Sequence, residues 1–197
     1  METFVALAVG VGNLGRQDKP RKRMIPWIEE LNQLLSKSSQ STILSSYGHT
    51  GNFIIRSTAT QESVAAGLGI SMGVPCAVLM LAELSSVVNL LGRTNDADST
   101  QYRRTPGAAF LVSGSSTLQT LSDTERAGYS RINGSVIAIS KRDALTLGGI
   151  LDRSRREGGW GAIAGDVGRQ LGGRWTARSI RTLSGVLKQA NSVASSS

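Results

Sequence analysis

A chain of 197 residues, 40% hydrophobic and 18% charged, can build one sizeable domain or two small ones, which excludes wholesale disorder. One cysteine (Cys76) and one histidine (His49) exclude an internal disulfide and a zinc site built from cysteine and histidine. A formal net charge of +8 favours polyanionic partners, either nucleic acid or an anionic membrane surface.

In chain order, Phe4 to Val9 is a short apolar run closed by Gly10 and Gly12, and predicts a buried strand. A basic loop follows from Gly12 to Arg23, and Pro26 suits the first turn of a helix, where its missing N–H costs nothing. Trp27, Ile28, Leu31, Leu34 and Leu35 then recur at helical spacing, with Glu29, Glu30 and Gln33 between them. Thr42 to Ser46 and Asn52 to Ser57 flank a glycine-containing turn and predict a hairpin. Thr58 and Gln61 have the spacing of a capping box ahead of a helix through Val64, Leu68 and Met72. After Pro75, Cys76 to Met80 is another strand-like run, and Ala82 to Leu91 returns to helical spacing through Leu84, Val87, Val88 and Leu91.

The order strand, helix, strand, strand, helix, strand predicts an α+β fold whose first half (1–92) is a ferredoxin-like split βαβ domain, with helices on one face of an antiparallel sheet. Residues 93–105 are polar and aperiodic, the expected linker. The second half (106–197) begins to repeat the plan. Ala108 to Val112 is a strand, Thr117 to Thr124 a weak helix, and Tyr129 to Ile132 and Ser135 to Ser140 a hairpin about Asn133-Gly134. A helix is predicted over Asp143 to Arg155. No further strand is expected, so the second α/β repeat is incomplete and is followed by a glycine-rich stretch and a C-terminal helix from Thr176 to about Asn191. Ile180, Leu183, Leu187 and Ala190 form that helix's apolar stripe.

Five segments, FVALAVGVGNLG, TGNFIIRS, VLMLAELSSVV, GAAFLVS and RWTARSIRTLSGVL, occur in an order that resembles the uncharacterised bacterial domain-of-unknown-function 1697 family. The resemblance covers most of the chain and implies two ferredoxin-like halves in tandem, with no assigned activity. The chain departs from the family at Val9, where an arginine usually precedes the glycine. It departs again at Ser179 and Ile180, where asparagine and tryptophan usually follow threonine-alanine-arginine.

Two basic segments are candidate sites. Gly12, Arg16, Lys19, Arg21, Lys22 and Arg23 combine glycine with cations between a strand and a helix, a composition suited to phosphate, although the G-x-G-x-x-G spacing is not followed by a parallel βαβ unit. The alternative is a charged, solvated loop. From Lys141 to Lys188 there are ten Lys/Arg against four acids. Arg153, Arg155, Arg156, Arg174, Arg178 and Arg181 form the expected polyanion-binding set, because the planar guanidinium fork matches phosphate geometry. Trp160 and Trp175 lie close in sequence, as stacking residues for single strands or as core anchors.

Catalytic chemistry has little to stand on. His49, in the hairpin turn with Tyr47, Thr50 and Asn52, is a lone titratable ring with no carboxylate beside it in sequence. Asp96 and Asp98 fall in the linker, Asp123 and Glu125 flank the weak helix, and Cys76 reads as a small hydrophobe on a strand. The longest apolar stretch, around Val74 to Leu84, is far short of the roughly 20 residues of a membrane span. The apolar N-terminus lacks a basic n-region and a cleavage site. The expectation is a non-enzymatic basic binding or assembly protein, cytoplasmic and without a cofactor, whose C-terminal third meets nucleic acid or an anionic membrane surface, and which can form a homo-oligomer. Its rivals are a small ligand-binding or enzymatic domain with a pocket near Gly12 and Asn52, and a peripheral membrane coat.

Overall fold

A computed structural model describes residues 1–9, 20–38, 40–48, 51–73, 75–92, 105–113, 136–139, 146–151, 164–165, 168–169 and 173–195. The chain divides into two compact units, Met1–Leu84 with Gly185–Ser197, and Ser85–Ser184. The fold is α+β, with antiparallel sheets.

In the first unit β1 (Glu2–Ala8), α1 (Pro20–Ser38), β2 (Ser41–Tyr47), β3 (Asn52–Ser57), α2 (Gln61–Met72) and β4 (Cys76–Met80) follow in the predicted order. The strand order is β2-β3-β1-β4 and every neighbouring pair is antiparallel, the split βαβ arrangement. The predicted buried strand is central: Val5 pairs with Ile54 on one side and with Leu79 on the other. Both faces of β1 are buried, which explains an unbroken apolar run in place of strict alternation. Phe4, Ala6 and Ala8 join Phe53, Ile55, Cys76 and Val78 beneath Leu31 and Leu35 of α1 and Val64 and Leu68 of α2. Cys76 is thus a core residue, as its sequence setting suggests.

Local differences from the predicted elements have physical causes. α1 begins at Pro20 and not near Pro26. Pro20 takes the first helical position, while Pro26 lies in the interior, where it lacks the N–H for the carbonyl four residues back. Leu34, expected on the apolar stripe, is 46% exposed, and Leu31 and Leu35, one turn apart, supply the buried contact. The cap of α2 is Thr60, not Thr58: its side chain accepts from Ser63 N–H. The Thr58 hydroxyl donates instead to Gln40 Oε1 at 2.7 Å. Gln61 Nε2 donates to the Val78 carbonyl at 2.6 Å and to Glu83 Oε2 at 3.0 Å. Glu83 Oε2 also accepts from Met80 N–H, which fixes the direct passage from β4 into α3 (Leu81–Gly92).

Strand β2 lies at the sheet edge, and an edge invites pairing with another chain. Asn32 of α1 closes part of it: its Oδ1 accepts from Ile43 N–H at 2.6 Å and its Nδ2 donates to Ile43 C=O at 2.9 Å. One side-chain amide thereby takes the place of a neighbouring peptide. Asn32→Ala should lower unfolding free energy by about 1–3 kcal/mol, since part-buried backbone groups lose their partners. Urea denaturation reads this, and no change in midpoint would mean that solvent satisfies Ile43 equally well.

In the second half β5 (Thr105–Ser113), β6 (Val136–Ile139), β7 (Thr146–Leu151) and β8 (Arg174–Ser179) form a second antiparallel sheet in the order β6-β7-β5-β8. This is the order of the first sheet repeated, so the second half carries a full set of four strands rather than an incomplete repeat. The helix expected over 143–155 contains β7 instead. Gly148 and Gly149 are poor helix residues, and pairing with both β5 and β6 decides the segment. The helix expected from Thr176 begins at Ile180, because residues 174–179 are drawn into pairing with β5. The predicted return strand 135–140 contains β6. The predicted helix 117–124, strand 129–132 and Asn133-Gly134 turn, with the linker up to residue 104, lie outside the described residues.

Helix α4 (Ile180–Ser195) follows β8 with no intervening residue. Ser179 caps it, its Oγ accepting from Thr182 N–H at 3.3 Å. The apolar stripe is Leu183, Val186 and Ala190, all fully buried, whereas Ile180 and Leu187 are half-buried. From Gly185 onward α4 belongs to the first unit and lies on the sheet face opposite α1 and α2. Ser45, Tyr47, Ile54 and Arg56 share that face by register. Gln189 Nε2 donates to Ser45 Oγ at 2.9 Å, and Arg56 Nη2 reaches the Val193 carbonyl near the helix C-terminus at 3.4 Å. The Tyr47 ring fills the space that a Cβ at residue 185 would need, so glycine permits this close approach. Helices therefore cover both faces of the first sheet, where the sequence predicted one.

Candidate polyanion-binding surface

The arginines of the C-terminal third divide according to the strand and helix that carry them. Along β8 side chains alternate, placing Arg174, Thr176 and Arg178 on one face and Trp175, Ala177 and Ser179 on the other. Arg174 is exposed at the strand's start. Arg178 is half-buried, and its Nη1 donates to Thr176 Oγ1 at 2.6 Å and to the Ala177 carbonyl at 2.9 Å. Arg178 was expected on the outer face of a helix; it belongs to a strand, with its guanidinium directed to strand oxygens. Arg181, in the first turn of α4, is exposed.

Arg169 joins this group, a residue not singled out from sequence. It is exposed, and its neighbour Gly168 packs tightly: a Cβ there would sit 2.9 Å from the Gly173 carbonyl oxygen and 3.6 Å from Trp175 Cδ1. The backbones preceding Arg169 and Arg174 therefore adjoin. The signal in sequence was the glycine-rich stretch itself, which marks close backbone approach without saying to what. Trp175 is 3% exposed and so is a core anchor with no face open to a base. Lys188 is exposed on α4, seven residues after Arg181 and hence on the same helix face. Among the described residues, no partner is found for Arg174, Arg181 or Lys188. No acidic residue occurs anywhere in β8 or α4.

No family model, curated protein or solved structure matches this chain. Geometry and charge are what remain to indicate function.

Arg153, Arg155, Arg156 and Trp160 lie outside the described residues, as do Gly12, Arg16, Lys19, His49 and Thr50. Arg21, Lys22 and Arg23 were expected in the phosphate loop, but α1 begins at Pro20 and takes them into its first turns. Asn52 is fully buried, and its Nδ2 donates to the Tyr47 carbonyl at 3.0 Å, bracing the hairpin from within. Among the described residues no helix is long and apolar enough to cross a membrane, and no cluster of His, Cys, Asp and Glu could hold a metal ion.

Proposed function

We propose that this chain is a non-enzymatic basic binding or assembly protein that contacts a polyanion through its C-terminal third. The observation that carries this is the acid-free run of β8 and α4, in which Arg174 and Arg181 stand exposed with no described partner. Arg169 adds a third exposed cation, held beside β8 by the Gly168 contact. Arg153, Arg155 and Arg156 remain members of the proposed set by charge and sequence position. Arg178 does not remain a primary contact, because its guanidinium is directed to Thr176 and Ala177. Clustered guanidinium groups without intervening carboxylates attract phosphate oxygens and lose that attraction as salt rises. The repeated strand order is the one that the tandem-half resemblance implies, and a single cysteine, buried in the core, suits a cytoplasmic setting.

The test is a fluorescence-anisotropy titration of the wild type and of the double variant Arg174→Ala/Arg181→Ala. Affinity for a polyanion should fall while the melting temperature stays nearly constant, since exposed charges contribute little to folding. Unchanged affinity in the double variant would remove these arginines from the site.

A further inference from the structure

Resting on the polyanion reading, we infer that the partner is the phosphate backbone of a nucleic-acid duplex, met by the polar face of α4, and not a lipid surface. The faces of α4 separate the two. A helix that lies on a bilayer needs an apolar face free to enter the acyl boundary. In α4 that face is already used: Leu183, Val186 and Ala190 are fully buried in the protein's own fold. Its exposed positions are Arg181, Lys188, Asn191, Ser192, Ala194 and Ser195, with no large apolar side chain among them. The large exposed apolar residues among those described are Met1, Leu34, Leu44 and Ile70, none of them on α4.

Phosphate oxygens, in contrast, accept from Arg, Lys, Ser and Asn alike. Arg181 and Lys188 stand seven residues apart on α4, about 10.5 Å along the axis at roughly 1.5 Å per residue. Duplex DNA carries about one charge per 1.7 Å of its own axis, so that interval faces several phosphates. Base stacking is not offered by the described aromatic residues of this region: Trp175 is buried, and the Tyr47 ring lies against Gly185. Contact through Arg181 and Lys188 is with backbone phosphates and is independent of sequence.

The experiment measures binding of the full chain to two unrelated duplexes, to one of their single strands, and to vesicles of equimolar phosphatidylserine and phosphatidylcholine. Each is titrated with wild type, Lys188→Ala and Lys37→Ala. Lys37, exposed at the end of α1, controls for loss of one charge elsewhere. The expected result is equal affinity for both duplexes, and a loss in Lys188→Ala that is uniform across them and lowers the salt slope by about 1. Lys37→Ala should match wild type, and all three proteins should melt alike. Binding to vesicles but not to duplex would overturn this inference and leave the polyanion reading standing. Tighter binding to the single strand, or equal losses in the two variants, would overturn the duplex or the α4 assignment. No binding to any of them at low salt would overturn both readings.

Discussion

Leu183→Ala is expected to lower the unfolding free energy by about 2–5 kcal/mol, the range for truncating a buried leucine. Leu183 has no exposed surface, so its removal forfeits the transfer energy of the lost carbons and leaves a cavity that the neighbours fill only in part. Leu187, one turn on, is half-buried, and Leu187→Ala should cost distinctly less. The ordering separates the observed stripe of Leu183, Val186 and Ala190 from one centred on Ile180 and Leu187. Chemical denaturation measures it, with a shifted midpoint at unchanged slope. A loss under about 0.5 kcal/mol, the scale of an ordinary surface substitution, would mean that α4 is not docked.

Gly185→Ala should destabilise the protein even though alanine is the better helix former by about 1 kcal/mol. The Tyr47 ring occupies the volume that the new methyl group requires, so the ring must swing away or the helix must lift from the sheet. Lifting would also strain the bonds from Gln189 to Ser45 and from Arg56 to the Val193 carbonyl. In a Tyr47→Ala background the space is open and only the helix preference remains. There Gly185→Ala should stabilise by up to about 1 kcal/mol. The reversal of sign is the diagnostic, with a coupling between the two sites in the range of about 0.5–3 kcal/mol for residues in contact. Additive effects would show that Tyr47 does not pack against residue 185.

Periodicity and turn residues made the first half legible. The Val5 strand, the hairpin about Tyr47 and the helices through Leu31 and Val64 follow from short-range pattern, and their order implies the sheet. Elements decided by long-range pairing were misread. Residues 146–151 and 174–179 have mixed local preferences, and both become strands by pairing with β5. The sequence showed neither that β8 would draw Arg178 off the helix nor that Thr60 would displace Thr58 as a cap. Of the site, the charge and the acid-free C-terminal run were readable in advance. Which arginines stay exposed was not, because strand alternation and the Gly168 contact decide it.

The central claim is that this basic surface binds phosphate. It is tested most directly by the salt dependence of the wild-type protein's affinity for duplex DNA. Three contacts, from Arg169, Arg174 and Arg181, predict a log–log slope of about −2.7 at roughly 0.9 per phosphate, steepening toward about −5.4 if Arg153, Arg155 and Arg156 also engage. A slope near zero, or no binding at low salt, would contradict it.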